Sequence, residues 1–225
     1  MTQFHPQQGL ETILRLAPVV PVVVIHDLAD AVPLARALVE GGLPAIEVTL
    51  RTVAALDSIR AIAAEVEGAV VGVGTVLDPR QLDAAQEAGA RFAVSPGATA
   101  ALLDAADSSG ALLLPGVANA SQAMELIARG YRYAKFFPAE PAGGAPYLKA
   151  LSSPLPQLQF CPTGGVTLGS APDYLALPNV VCVGGSWMLK ADRIAAQDWA
   201  AITAASQRAA QLQPARSLQE SSHVA

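Results

Sequence analysis

Short apolar runs recur along this chain at a steady spacing. Eight runs of strand length lie between residues 19 and 186, and their centres fall about every 21 to 26 residues. They are VVPVVVI (19–25), AIEVTL (45–50), AVVGVGTV (69–76), RFAVSP (91–96), ALLLPGV (111–117), YRYAKFF (131–137), LQFCPTGG (158–165) and NVVCVGGS (179–186). Runs that are apolar almost throughout are typical of strands covered on both faces, as in a parallel sheet.

The segments between these runs carry apolar residues at helical spacing. In residues 27–42 the apolar positions fall on one helical face, and two glycines end the pattern. Asp78 and Pro79 predict the start of another helix, which ends at Gly89. Further helices are predicted over 52–66, 98–109, 119–129 and 190–210.

Strand–helix alternation of this kind predicts an α/β fold. Eight units in about 170 residues favour a (β/α)8 TIM barrel, with an extra N-terminal helix over 7–17 that closes the bottom. The alternative is an open doubly wound sheet, but the first run lacks the glycine-rich turn usual there. We expect one domain over residues 1–210, followed by a disordered tail over 211–225.

Composition narrows the possible partners. The net charge is −5 without a cluster of Lys or Arg, which argues against nucleic acid. The start lacks a basic segment followed by an apolar block, so we expect no secretory signal. No apolar stretch reaches the roughly 18 residues that a membrane helix needs. Cys161 and Cys182 are expected to be buried free thiols of a cytoplasmic protein. Only His26 lies away from the termini, so we expect no metal site.

Polar residues at the ends of two runs are predicted to face the same way. Side chains alternate across a strand, so Glu47, Thr49 and Arg51 share one face of the second run. Their apolar neighbours should meet the helices, which places these three inside the barrel. In the sixth run Lys135 belongs to the set that we expect to point inward.

Two threonines are placed similarly. Thr75 and Thr163 end the third and seventh runs. The chemistry of a barrel lies at the C-terminal ends of its strands. The sequence therefore predicts a mouth that combines an acid, a lysine, an arginine and two hydroxyl groups.

Lys135 lies among apolar and aromatic residues and has no acid nearby in sequence. A lysine attacks a carbonyl only as the neutral amine, which loss of water favours, so this setting suits a Schiff base. Glu47 is the candidate proton carrier, and Arg51 offers a planar fork for a carboxylate. The alternative readings are structural: Glu47 as the charge partner of Lys135 or Arg51, and Arg51 in an ion pair.

Two Gly-Gly turns close the last two runs. PTGGV (162–166) and VGGSW (183–187) stand where barrel enzymes often hold a phosphate on backbone amides. Glycine allows close approach of an anion, and Ser186 adds a hydroxyl donor. Both turns could also be plain turns, and His26 at the end of the first run reads best as a loop histidine.

Taken together, the motifs PVVPVVVI, GGLPAIEVTLRT, VGVGTVLDPRQL, FAVSPG, KFFPAE, FCPTGGV and CVGGSW resemble the class I 2-keto-3-deoxy-6-phosphogluconate (KDPG) aldolases. The resemblance runs in order from about residue 10 to 205. It implies a (β/α)8 barrel, a cytoplasmic homotrimer, and reversible cleavage of KDPG to pyruvate and glyceraldehyde 3-phosphate in the Entner–Doudoroff pathway. It implies neither cofactor nor metal.

The resemblance also implies a role for each site residue. Lys135 of KFFPAE is the Schiff-base former, and Glu47 of EVTLR is the general acid/base. Arg51 and Thr75 are ligands of the pyruvyl carboxylate. The phosphate cradle comprises Thr163, Gly164, Gly165, Gly185 and Ser186. The segments 26–31 and 116–123 depart from the family pattern, which bears on substrate breadth and subunit contacts.

Two alternative functions stay open. Related enzymes prefer 4-hydroxy-2-oxoglutarate (KHG) or the galactonate epimer of the substrate. A barrel that binds a sugar phosphate without converting it would keep the glycine turns, but it would need neither Lys135 nor Glu47.

Overall fold

Parallel strands alternate with helices throughout the structure, a computed structural model that describes residues 7–213. Its strands are β1 Val19–Val23, β2 Ala45–Thr49, β3 Val70–Gly74, β4 Ala93–Val94, β5 Leu113–Leu114, β6 Gly116–Val117, β7 Tyr133–Phe136, β8 Gln159–Pro162 and β9 Val183–Gly185. Each predicted run contains a strand. The run 111–117 contains two, because Pro115 has no N–H to continue the ladder.

The helices lie between the strands. They are α1 Leu10–Leu14, α2 Ala31–Glu40, α3 Ala55–Glu65, α4 Pro79–Glu87, α5 Ala100–Ser109, α6 Ala120–Ala128, α7 Gly144–Leu151, α8 Ala171–Leu175, α9 Ala191–Ala195 and α10 Trp199–Ala210, with a 3-10 turn at Leu28–Asp30. The Asp78 side chain accepts a hydrogen bond from Gln81 N and caps α4, as predicted. Within residues 7–213 no helix is long and apolar enough to span a membrane.

Two of the helix predictions need correction. The single helix expected over 190–210 is two helices, separated by a turn in which Gln197 has a φ of 50°. Helices α7 and α8 were not expected, because glycine and proline break up the apolar spacing there. The expected tail begins at Gln211, and its residues 214–225 lie outside the described part of the chain.

The strands form a curled parallel sheet in two parts. One part has the order β5-β4-β3-β2-β1-β9, and the other has the order β6-β7-β8. Isolated bridges between Phe160 and Val180 and between Thr163 and Gly184 join β8 to the segment that forms β9. The expected parallel α/β architecture is therefore confirmed.

Alternate strand residues enter two separate apolar clusters. The larger cluster joins the outer faces of the strands to the helices, and it includes Ile46 and Ala134. The smaller cluster fills the concave side and includes Ala45 and Tyr133. Because side chains two positions apart share a face, Glu47 and Lys135 point into the same concave interior.

The start of the described chain packs against this interior. Leu10 and Leu14 of α1 pack into the smaller cluster. The Gln7 amide nitrogen donates to Leu113 O at 2.9 Å and to Tyr133 O at 2.7 Å. This side chain therefore links β5 to β7, where the two parts of the sheet meet.

Candidate active site

Lys135 and Glu47 meet in the concave interior. The Lys135 Nζ lies 3.1 Å from Glu47 Oε1, although the two residues are 88 positions apart in the chain. Their side chains are only 5% and 3% exposed. The ring of Phe137 lies under the ammonium group, 5.3 Å from Nζ to the ring centroid. An acid and a lysine are thus held together as a hydrogen-bonded ion pair in a largely dry setting.

A glycine of β3 makes room for the carboxyl group. Glu47 pairs in register with Gly72, and a Cβ atom at Gly74 would overlap the Glu47 carboxyl group. Any side chain at Gly74 would therefore push the acid away from Lys135. Gly74 was not predicted as a site residue, although the alternation of valine and glycine in VVGVG indicates that another group packs closely on that face.

Thr75 directly follows Gly74 and has an unusual backbone. Its φ is +62°, in the left-handed region that β-branched residues rarely enter. Strain of this kind is found where the surrounding structure fixes a functional group. The threonine is half-buried, one residue beyond the glycine that contacts Glu47.

Arg51 lies in the turn after β2 and is exposed. Within residues 7–213 it forms no ion pair, so the structural alternative raised for it is not observed. Its guanidinium group remains available at the strand end from which Glu47 points inward.

The two glycine turns lie side by side. The bridge between Thr163 and Gly184 pairs the strand ends from which they start. Gly164 and Gly165 have φ values of 101° and 83°, which only glycine adopts without strain. Thr163 is buried, with its hydroxyl donating to Cys161 O at 3.4 Å.

Ser186 follows the second turn and is exposed. It lines a cavity of about 410 Å³ together with His26, Asp27 and Leu189. The hydroxyl group is therefore accessible to a ligand. Gly185 precedes it, and the Trp187 ring occupies the space that a side chain at Gly185 would need.

A second cavity lies at the opposite end of the strands. It has a volume of about 700 Å³ and is lined by α1 and by Arg132 and Tyr133 at the start of β7. Although it is the larger of the two, it does not contain the Lys135–Glu47 pair. The candidate residues Arg51, Thr75 and Ser186 instead lie just beyond the C-terminal ends of β2, β3 and β9.

The remaining candidate groups are structural. Cys161 and Cys182 are buried free thiols, as expected. A hydrogen bond with Cys161 and complete burial raise the pKa of Cys182. In the described part of the chain no three His, Cys, Asp or Glu side chains are grouped so as to hold a metal ion.

The chain is similar to known aldolases over most of its length. The family model for KDPG and KHG aldolase matches residues 10–205. The 2-dehydro-3-deoxy-phosphogluconate aldolase of Zymomonas mobilis is 54% identical over 202 residues, which cover 90% of this chain and 95% of that protein.

Two solved structures are similar over nearly the whole fold. The 2-keto-3-deoxy-6-phosphogluconate aldolase of Zymomonas mobilis with 3-phosphoglycerate matches with a TM-score of 0.90 and 51% identity, covering 94% of this chain and 99% of that one. The KDPG aldolase of Legionella pneumophila, with pyruvate captured as a covalent carbinolamine, matches with a TM-score of 0.87 and 44% identity, covering 93% and 100%.

Proposed function

The chain belongs to the KDPG and KHG aldolase family, and from this premise we propose that Lys135 and Glu47 carry out its reaction. The chain is a lyase that cleaves KDPG to pyruvate and glyceraldehyde 3-phosphate through a Schiff base. One observation supports the assignment above the others: the buried contact of 3.1 Å between Lys135 Nζ and Glu47 Oε1.

The first half of the cycle forms the Schiff base. Glu47 takes a proton from the Lys135 ammonium group, and the neutral amine attacks the C2 ketone of the substrate. The attacking nitrogen then passes a proton to the ketone oxygen, and the product is a neutral carbinolamine. Glu47 returns its proton to the departing hydroxyl group, water leaves, and a protonated imine remains.

The second half breaks the carbon–carbon bond. The regenerated Glu47 carboxylate takes the proton of the C4 hydroxyl group, directly or through a water molecule. The electrons of the C3–C4 bond move into the protonated imine, and the aldehyde is released. Glu47 then protonates C3 of the enamine, and water hydrolyses the pyruvate imine to free Lys135.

The ligand assignments belong to the same proposal. Arg51 and Thr75 bind the pyruvyl carboxylate at the ends of β2 and β3. The phosphate is bound by the turns after β8 and β9, comprising Thr163, Gly164, Gly165, Gly185 and Ser186. The positive φ values of the first turn and the exposed Ser186 hydroxyl support this cradle.

The closure of the barrel, the domain bounds, the assembly and the location of the protein belong to the proposal as well. The bridges between β8 and β9 and the Gln7 link between β5 and β7 support a closed (β/α)8 barrel with α1 at its bottom. We expect a single domain over residues 1–210 that assembles as a homotrimer. Two buried free thiols suit a reducing compartment, which supports the cytoplasm as its location.

A cleavage assay tests the function. Release of pyruvate should be measured from KDPG and from KHG, with EDTA present throughout. We expect equal amounts of pyruvate and glyceraldehyde 3-phosphate from KDPG, and kcat/KM for KDPG about 10-fold or more above that for KHG, because KHG lacks the phosphate.

Three outcomes would contradict the proposal. Binding of KDPG without turnover would make the protein a sugar-phosphate-binding barrel. A preference for KHG would make the unphosphorylated compound the substrate. Loss of activity in EDTA that zinc restores would indicate a metal-dependent mechanism instead of a Schiff base.

A further inference from the structure

The loop after β7 packs directly against the glycine turn after β8. Ala139 N donates to Thr163 O at 2.8 Å, and Glu140 N donates to Gly164 O at 3.0 Å. These bonds continue the pairing of the two strands beyond their ends. The strand that carries Lys135 and the turn assigned to the phosphate are therefore connected through this loop.

The side chain of Glu140 lies flat on the turn. A Cβ atom at Gly165 would come to 2.7 Å from Cγ and 2.8 Å from Cβ of Glu140, closer than real side chains approach. The glycine thus gives the turn its backbone geometry and also admits the Glu140 side chain. Together with the two backbone hydrogen bonds, this close approach couples the position of Glu140 to that of the turn.

One residue anchors the Glu140 carboxylate. The hydroxyl group of Tyr174, on α8, donates to Glu140 Oε1 at 2.8 Å, and Tyr174 itself is 1% exposed. Burial, and then the hydrogen bond to Glu140, raise the pKa of Tyr174, so its hydroxyl group stays protonated and remains a donor at neutral pH. Burial fixes the position of the Tyr174 ring, and its hydroxyl group in turn fixes the Glu140 carboxylate.

Because Glu140 is charged, its hydrogen bond with Tyr174 affects how the neighbouring turn can bind a phosphate. A carboxylate beside an anion-binding turn repels a phosphate unless it is held in a direction that points away from it. The Tyr174 hydroxyl group engages one of the two carboxylate oxygens and fixes that direction.

We propose that Tyr174 is a positioning residue for the substrate phosphate. Through Glu140 it fixes the Gly164–Gly165 turn, and it keeps the carboxylate of Glu140 directed away from the phosphate. This proposal rests on the proposed function, since it presumes that the turn binds the phosphate of KDPG. Tyr174 acts through another residue and does not touch the substrate.

A matched pair of variants tests the proposal. Tyr174→Phe removes only the hydroxyl group. Tyr131→Phe is the control, because Tyr131 also donates to a carboxylate, Asp107 Oδ1, at the same 2.8 Å. We expect Tyr174→Phe to raise KM for KDPG about 3- to 10-fold, since part of a hydrogen bond to a charged group is transmitted to the phosphate. Its kcat/KM for KHG should stay within about twofold of the parent, and Tyr131→Phe should leave both substrates unaffected.

Substitutions at Glu140 separate its charge from its packing. Glu140→Gln keeps the acceptor for Tyr174 and the side chain on Gly165, so KM for KDPG should stay at or below the parent value. Glu140→Ala loses the hydrogen bond and the Cγ contact on Gly165, so it should raise KM for KDPG, but by less than Tyr174→Phe because it also removes the repelling charge. An unchanged KM in Glu140→Ala would overturn the proposal.

The outcomes distinguish failure of the positioning role from failure of the proposed aldolase function. A parent protein that does not cleave KDPG overturns the proposed function before any variant is compared. A parent that cleaves KDPG, with a Tyr174→Phe variant that matches Tyr131→Phe or loses equally on both substrates, overturns the positioning role alone. Thermal melts of all variants identify any loss that comes from unfolding.

Discussion

At the scale of single residues, the proposed acid/base role of Glu47 makes the clearest prediction. Glu47→Gln keeps the volume and an oxygen for the hydrogen bond from Lys135, but an amide cannot carry protons. We expect kcat for KDPG to fall about 10²- to 10⁴-fold, the usual range for a positioned acid or base. Steady-state kinetics with purified variants measure this.

The control for Glu47 is an acid without a place in the site. Asp57 forms an exposed ion pair with Arg60 on α3, and Asp57→Asn should change kcat by less than about twofold. Turnover by Glu47→Gln within a few-fold of the parent would make Glu47 only a structural partner of Lys135.

Ser186 tests the phosphate site at the same scale. Ser186→Ala removes one donor to a charged group, so kcat/KM for KDPG should fall by about 10-fold while the backbone amides remain. Ser186→Asp should lower it much further, because it adds a like charge. KHG serves as the internal control, since its kcat/KM should change little in either variant; equal losses on both substrates would mean that Ser186 supports the fold.

At this scale the sequence predicted what side-chain alternation determines and missed what depends on distant contacts. Alternation placed Glu47 and Lys135 on the inward face, and the two side chains are in contact. The hydrogen bond between Glu140 and Tyr174 was not foreseen, because it joins residues 34 positions apart and leaves no local pattern.

At the scale of elements, β3 makes room for the Glu47 carboxyl group because Gly74 has no side chain. Gly74→Ala would place a methyl group where the Glu47 carboxyl group lies. We expect kcat to fall at least about 10-fold through displacement of the acid. The free energy of unfolding should fall by about 1–3 kcal/mol through overpacking.

Gly97→Ala is the matched control for Gly74→Ala, because it also adds a methyl group to a glycine. A Cβ atom there would meet nothing within 4 Å, and the φ of Gly97 is not positive. Its kcat should match the parent, and urea denaturation should show a change within about 0.5 kcal/mol. A Gly74→Ala variant with parental kcat would show that Glu47 does not depend on β3 for its position.

Elements with strong local signals were predicted best. Asp78 and Pro79 start α4 as expected, because the cap and the proline act within one turn of the helix. The break between α9 and α10 was missed, because Ala-rich residues on both sides of Gln197 continue the helical spacing across it. Local periodicity does not record a turn that tertiary contacts stabilise.

At the scale of the whole molecule, the proposed assembly is a homotrimer. Light scattering coupled to size exclusion should give a mass about three times the 23.1 kDa of one chain. The mass should not change when KDPG or EDTA is added, because neither the substrate nor a metal is proposed to hold the subunits together. A monomer or dimer at the concentrations of the activity assay would contradict this assembly.

The architecture was predictable in outline because each strand run is nearly continuous and evenly spaced. The division of the sheet into two parts was not, since it falls at Pro115 between β5 and β6, and the Gln7 side chain that bridges the parts lies more than 100 positions away in the chain. The site forms only when β2 and β7 are brought together across the curled sheet. Its chemistry is therefore a property of the whole fold.

Trapping of the covalent intermediate tests the central claim most directly. The protein is incubated with pyruvate, reduced with borohydride, digested, and mapped by mass spectrometry. We expect one pyruvate adduct per chain, on Lys135, together with loss of activity, and we expect Lys135→Arg to escape labelling. An adduct on Lys149 or Lys190, or full activity after reduction, would contradict the assignment of Lys135 as the Schiff-base lysine.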